Sequence, residues 1–309
     1  MGERTSTRLI LRNAILNLVT ETWLSLVLVA SIPVLVSFLG ESSFGLFSLA
    51  WVLVGYLTFL DAGLGRATTK FVSEHISKSD RGALEQIVQV SLLWNLLLGV
   101  LGGIGVALST PFLIRSIFNI PPALESQAIQ VFHAAALCLP FLLVQGVVRG
   151  VLASLQRFGW INLVHGLTTT AQWLLACLLA WQGQDVVVVV WVTFGARIVA
   201  TGFYLVLLLA LQPGLFRSVR RRPEELPKLL RFGIWVTVSQ IIGPVMVYLD
   251  RLLIASFVSL AALTVYTVPT ESIGRLRILP ASLTATLFPA VSEQMANQET
   301  EETRRLYWR

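Results

Sequence analysis

The placement of basic residues constrains this chain more than any other feature. Arginine and lysine fall almost wholly in every second gap between long apolar runs. The leader carries Arg4, Arg8 and Arg12, and Lys70, Lys78 and Arg81 follow the second run. Arg149 and Arg157 follow the fourth; Arg217, Arg220, Arg221, Arg222, Lys228 and Arg231 crowd the gap after the sixth. Arg304, Arg305 and Arg309 lie in the tail, whereas the intervening gaps hold only Arg115. One-sided loading of this kind is the positive-inside pattern of a polytopic membrane protein, and it places both termini in the cytoplasm. It also checks the span count, because one misplaced helix would scramble the alternation.

A hydrocarbon core of about 30 Å needs about 20 apolar residues per helix. Eight segments qualify, at 10–39, 43–69, 84–110, 126–150, 158–182, 185–211, 229–258 and 262–290. The expected class is therefore all-α and polytopic. With 55% apolar and 13% charged residues, the chain is neither disordered nor a disulfide scaffold. Its net charge of +6 is spread too thinly to make a nucleic-acid face. Pro33, Pro140, Pro244, Pro269 and Pro280 are kink candidates. Val186–Val190 looks like a strand by propensity, but it lies inside an uninterrupted apolar stretch and is read as helix. The first span follows an Arg-bearing leader, as a signal peptide would, yet its apolar part is too long and is read as retained. Cys138 and Cys177 lie in apolar stretches and are read as inert, reduced thiols.

Sliding the sequence against itself gives a gapless internal match. Leu11-Arg12 falls on Leu230-Arg231, Ser37-Phe38 on Ser256-Phe257, and Val72-Ser73-Glu74 on Val291-Ser292-Glu293. Six spans separate the copies, so the repeat is parallel, about an axis along the membrane normal. The expected organisation is a six-helix lobe at 1–212, a basic linker at 213–228, the first two helices of a second lobe at 229–293, and a cytoplasmic tail at 294–309. A complete second lobe would extend the chain to about 440 residues, so roughly 130 are expected to be absent.

Charges inside the spans are the functional signal. Each Arg or Asp at a helix centre costs about 2.5–3.5 kcal/mol on the insertion scale. Glu21, Asp61, Arg66, Arg197, Asp250, Arg251, Glu271, Arg275 and Arg277 all fall within the proposed spans. They must therefore face one another or a wet cavity. Arg66, near a helix end, can snorkel. Arg197 lies near the midplane, about 16 Å below the outer surface, and cannot. Glu271 and Arg275 share one helix face, and Asp250 with Arg251 lies at a similar depth. Pairing accounts for these and leaves at least one midplane arginine unmatched, which favours an anionic ligand. His133 and His165 read as packed helix histidines. No metalloprotease, Walker or CxxC motif is present, so no cofactor and no enzymatic activity are expected.

Leu39-Gly40-Glu41-Ser42-Ser43-Phe44-Gly45-Leu46-Phe47, then Leu60-Asp61-Ala62-Gly63-Leu64-Gly65 and Phe71-Val72-Ser73-Glu74, resemble the polysaccharide (O-antigen, Wzx-type) flippases. A second block agrees: Arg231-Phe232-Gly233-Ile234-Trp235, Leu249-Asp250-Arg251-Leu252-Leu253-Ile254, Tyr266-Thr267-Val268-Pro269 and Leu287-Phe288-Pro289-Ala290-Val291-Ser292. The resemblance implies two six-helix bundles around a cleft, in the superfamily that includes the multidrug and toxic compound extruders. It implies movement of an undecaprenyl-pyrophosphate-linked oligosaccharide across the inner membrane by alternating access, with a polysaccharide polymerase as a partner. On that reading Arg197, Arg275 and Arg277 offset the pyrophosphate charge, while Asp250, Arg251 and Glu271 form charge pairs in the cavity. Glu21 and Asp61 are candidates for proton or sodium coupling. The rival readings are a small-cation multidrug antiporter of the same superfamily and a membrane-embedded glycan polymerase or glycosyltransferase. The first should show a carboxylate-dominated cavity, and the second a catalytic pair in a sizeable loop.

Overall fold

The computed structural model describes residues 7–61, 64–77, 81–213, 243 and 245–275, which consist of helices and short connections. The helices are α1 (Thr7–Leu39), α2 (Glu41–Leu57), α3 (Leu64–Ser77), α4 (Arg81–Phe112) and α5 (Glu125–Ser154). They continue as α6 (Phe158–Trp181), α7 (Val186–Leu211), α8 (245–257) and α9 (Leu260–Gly274). Among the described residues, the apolar spans carried by α1, α4, α5, α6 and α7 are long enough to cross a membrane, and α2 is a shorter apolar helix. The chain is a multi-pass membrane protein. Parts of the seventh and eighth expected spans, the basic linker and the tail lie outside the described residues, as do Pro244 and Pro280.

Backbone polar groups in hydrocarbon must be satisfied within their own segment. This requirement overrides the β-propensity of Val186–Val190, which forms the start of α7. Asp185 caps that helix, its carboxylate accepting from the Val188 N–H at 3.0 Å. Ser259 caps α9 in the same way, accepting from the Ala262 N–H at 3.1 Å. Pro33, Pro140 and Pro269 lie inside continuous helices. Pro111, not singled out from the sequence, lies two residues before the π-turn Leu113–Ile117. A missing N–H and a ring in the helix interior loosen the ladder at that point.

The second expected span, 43–69, departs from the structure. Helix α2 stops at Leu57, a 3₁₀ turn runs Thr58–Asp61, and α3 begins at Leu64. The Thr58 hydroxyl donates to the Gly55 carbonyl at 2.6 Å, tightening the last turn. Beyond it Asp61, Arg66, Lys70 and Glu74 end the continuous apolar run. Helix α3 is thus amphipathic and packs on α4 and α5 through residues such as the fully buried Val72.

Two apolar cores form in the helix bundle, one toward each end. The core at the Gly40 end contains Leu35, Leu46, Leu49, Phe132, Val189 and Val190, joined by Leu260 and Leu263 of α9. The core at the opposite end contains Val72, Ile87, Val148, Leu152, Tyr204 and Leu208. Along α6 and α7, the residues between these clusters are His165, Thr169 and Gln172, and Arg197 and Thr201. Thr169, Gln172 and Thr201 are buried. A polar layer therefore separates the two cores at mid-height.

Close contacts between backbones position this layer. Gly99 and Gly103 of α4 lie against the backbone of Pro140 and Ala136 of α5, a small-residue interface of the kind that brings membrane helices together. Gly45 of α2 lies against the Leu260 carbonyl of α9. The Thr264 hydroxyl donates to the Glu41 carbonyl at 2.6 Å, and Asn119 Nδ2 donates to the Val258 carbonyl at 2.7 Å. Together these contacts fasten α8 and α9 to the Gly40 end of the earlier helices.

Gly40 joins α1 to α2 at φ 79°, ψ 161°, a backbone region essentially confined to glycine. Among the described residues nothing lies within 4 Å of the position a Cβ would take there. Gly40→Ala is therefore expected to cost about 1–2 kcal/mol through backbone strain alone. The shift of the unfolding midpoint in detergent micelles measures it, and an unchanged midpoint would refute the strain.

Candidate functional site

The intramembrane charges fall into two groups. The first bridges α8 and α9. Arg251 Nη1 of α8 lies 2.7 Å from Glu271 Oε1 of α9, and Glu271 Oε2 lies 3.7 Å from Arg275 Nη2. The Tyr266 hydroxyl donates to Asp250 Oδ2 in a short hydrogen bond, and Asp250 Oδ1 accepts from the Arg251 N–H at 2.8 Å. The Arg251 guanidinium also lies 5.9 Å from the Tyr248 ring centroid. Glu271 meets both guanidiniums, and the carboxylate of Asp250 beside them brings the formal charge of the described cluster to zero. This is the arrangement that makes buried ions tolerable. Arg251 is only 9% exposed whereas Arg275 is 37% exposed, so Arg275 has donors to spare beyond its distant carboxylate.

The second group lies in the polar layer among α1, α2, α5, α6 and α7. Arg197 is on the inner face of α7, its guanidinium carbon 5.2 Å from the Trp51 ring centroid. Trp51 in turn packs on Phe194 with centroids 5.0 Å apart and on Phe47 at 6.4 Å. Stacking on an aromatic face provides a partial counter-charge for a desolvated guanidinium, worth about 2 kcal/mol. It does not supply an acceptor. Arg197 Nε, Trp51 Nε1 and Gln172 Nε2 are buried donors without a hydrogen-bond partner among the described residues. Arg149 lies within electrostatic reach of both Arg197 and His165. Glu21 of α1 approaches His165 Nε2 at 3.8 Å, and Thr169 Oγ1 lies 3.2 Å from His165 Nδ1. Among the described residues no carboxylate forms an ion pair with Arg197 or Arg149. The layer is therefore rich in donors and positive charge.

The candidates from sequence are thus distributed unevenly. Asp250, Arg251, Glu271 and Arg275 are brought together. Arg197 belongs to the second group and Glu21 to its His165 edge, where it is half exposed. Asp61 closes the 3₁₀ turn after α2 and is partly buried. Arg277 and the side chain of Arg66 lie outside the described residues. Sequence reasoning missed Arg149, which it assigned to a loop. Arg149 is in fact inside α5, about 7 Å before its end at Ser154. Trp51, Gln172 and Tyr266 were missed too. The aromatic spacing Phe44, Phe47, Trp51 along one helix face was the available sign of the first.

Comparisons with known proteins fit this architecture. A Shigella flexneri protein named for O-antigen transport is 23% identical over 289 residues, covering 92% of this chain and 66% of its own length. The chain thus spans about two thirds of that relative. An inward-facing multidrug resistance transporter of the MATE family has a similar fold, with a TM-score of 0.70 at 20% identity over 96% of this chain and 69% of that one. An outward-facing structure of a MATE-family transporter scores 0.69 at 19% identity, over 93% and 70%. The near-equal scores identify the fold. The family model described as polysaccharide biosynthesis protein matches residues 10–295. The chain belongs to the polysaccharide biosynthesis protein family.

Proposed function

We propose that this chain carries the first lobe and the start of the second lobe of a flippase for polyprenyl-pyrophosphate-linked oligosaccharide. The reading places it in the cytoplasmic membrane with both termini inside, alternating access between the lobes. The observation that supports it is the unmatched guanidinium of Arg197 in a membrane-depth layer whose free groups are donors. A pyrophosphate supplies the acceptors and negative charge that this layer lacks. Arginine suits phosphate through its permanently charged planar fork. Arg149 acts with Arg197, while Arg275 and Arg277 meet the same headgroup from the second lobe. Asp250 and Glu271 hold Arg251 and Arg275 in place. Glu21, beside His165, and Asp61 serve coupling to protons or sodium. The flipped product is then available to a polysaccharide polymerase in the outer leaflet.

A small-cation extruder would need the opposite polarity in this layer, with spare carboxylates and neutralised arginines. A glycan enzyme would need a catalytic pair in a substantial loop, whereas the connections at 40, 118–124, 182–185 and 258–259 are short. In the full-length protein, Arg197→Gln is expected to lower lipid-linked glycan export about tenfold, with Arg197→Lys intermediate, because a point charge replaces the fork. Export measured on surface polysaccharide in cells tests this, with protein level checked in the membrane fraction. Unchanged export by Arg197→Gln would remove Arg197 from the substrate path.

A further inference from the structure

A groove of about 550 Å³ runs between α6 and α7 on the side turned away from Arg197. Its walls include Leu163, Ala171 and Leu175 of α6 and Val192, Ala196 and Phe203 of α7. Phe203 is 56% exposed and Leu163 50%, so the groove opens outward from the bundle. The opposite face of α6 is the one that packs on α1, through Asn162 donating to Asn17 at 2.6 Å and Trp23 donating to Thr170 at 3.0 Å. At membrane depth, an outward-opening apolar groove is in contact with hydrocarbon.

Its position says which hydrocarbon. Helix α6 is about 36 Å long at 1.5 Å per residue, and the groove covers the stretch from about 7 Å to about 26 Å along it. The groove therefore straddles the midplane. A bilayer acyl chain anchored in one leaflet reaches only about 15 Å, half the hydrocarbon core, and fills the groove in part. A chain much longer than an acyl chain can follow it across both leaflets. At the Leu163 end, Arg157 precedes α6 as its N-cap residue and is exposed. It lies about 9 Å along the axis from Leu163 and about 40° from the groove direction, so it is on the groove side of the helix. Among the described residues no carboxylate pairs with it. An anionic head beside Arg157 with its tail in the groove satisfies both features.

We propose that the α6–α7 groove binds the polyprenyl chain of a phosphate-headed carrier lipid, with the phosphate at Arg157. The inference rests on the flippase reading, since that reading supplies a lipid of this length. The site is distinct from the Arg197 layer: it holds the carrier lipid on the lipid-facing surface, tail in the groove and phosphate at Arg157, before the headgroup enters between the lobes.

The test is lipid retention by the full-length protein in detergent, titrated with undecaprenyl phosphate and read by native mass spectrometry. Phosphatidylglycerol serves as the acyl-chain competitor. Each methylene removed from apolar contact changes affinity about fourfold. Ala196→Phe, which fills the groove at one of its two alanines, is expected to weaken undecaprenyl phosphate about tenfold or more. Arg157→Gln, a surface change that leaves packing intact, is expected to weaken it several-fold in a salt-sensitive way. Phosphatidylglycerol at equal concentration is expected to leave the adduct in place. Equal competition by phosphatidylglycerol, or wild-type binding by both variants, would overturn the proposal. Arg197→Gln separates the two readings: lost export with unchanged undecaprenyl phosphate retention supports both. Intact glycan export together with groove variants that bind normally sinks the groove alone. Absent export by wild-type protein with groove-dependent retention sinks the flippase reading alone.

Discussion

Glu271→Gln is expected to destabilise the α8–α9 pair by about 3–5 kcal/mol, the usual cost of removing one partner from a buried ion pair. Glu271 is the centre of the described cluster, holding Arg251 at 2.7 Å and Arg275 at 3.7 Å. The amide carries no charge, so Arg251, 9% exposed and already lacking a partner at Nε, is left buried and uncompensated. Asp250 does not replace it, because its bonds to the Tyr266 hydroxyl and the Arg251 N–H fix its orientation, and among the described residues it forms no ion pair with the Arg251 guanidinium. The double variant Arg251→Met with Glu271→Met removes both charges together and is expected to lie within about 1 kcal/mol of wild type. Unfolding in mixed micelles measures all three proteins. A Glu271→Gln protein as stable as wild type would mean that Arg251 reaches water, and the buried-pair account would fall.

The second large effect is expected at Gly45. A Cβ added there would lie 2.0 Å from the Leu260 carbonyl oxygen and 2.7 Å from its carbon. Both atoms are backbone, so no side chain can swing aside, and α2 and α9 must separate by more than an ångström. That movement also stretches the Thr264–Glu41 hydrogen bond, now 2.6 Å. Gly45→Val should therefore cost about 3 kcal/mol, the upper range for overpacking, after allowing for the helix propensity it gains. Gly55 provides the internal control. A Cβ there meets the ring end of Tyr248 at 2.5 Å, and a flexible side chain can move. Gly55→Ala should cost less than half as much. Cross-linking between cysteines placed near residues 41 and 264 reads the separation directly. Undiminished cross-linking in Gly45→Val would contradict the close approach.

Several properties of the site were legible along the chain, and for a common reason. Glu271 and Arg275 are four residues apart on one helix, so their shared face follows from 3.6 residues per turn. The depth of Arg197 follows from counting residues from the ends of its span. By contrast, Arg149, one residue inside the edge of the fourth expected span at 150, reads as part of the basic loop with Arg157, whereas α5 runs on to Ser154 and a polar layer receives the side chain. Trp51 was unreadable as the partner of Arg197 because the two are 146 positions apart. The break of the second span after Leu57 was also missed. Apolar residues on both sides of Asp61 look continuous in a window average, whereas the 3₁₀ turn depends on a local hydroxyl-to-carbonyl bond.

The linear order of residues was sufficient for the helical class, the membrane setting and the family resemblance. In hydrocarbon, length, apolarity and backbone satisfaction are properties of each segment by itself, so a one-dimensional reading captures them. Only the tertiary structure decided which guanidiniums are matched. Arg251 finds a carboxylate across a helix pair, while Arg197 finds a tryptophan face and, among the described residues, no acceptor for its Nε. That outcome depends on the azimuth of each helix and on contacts such as Gly45 against Leu260, which are set by neighbours distant in sequence.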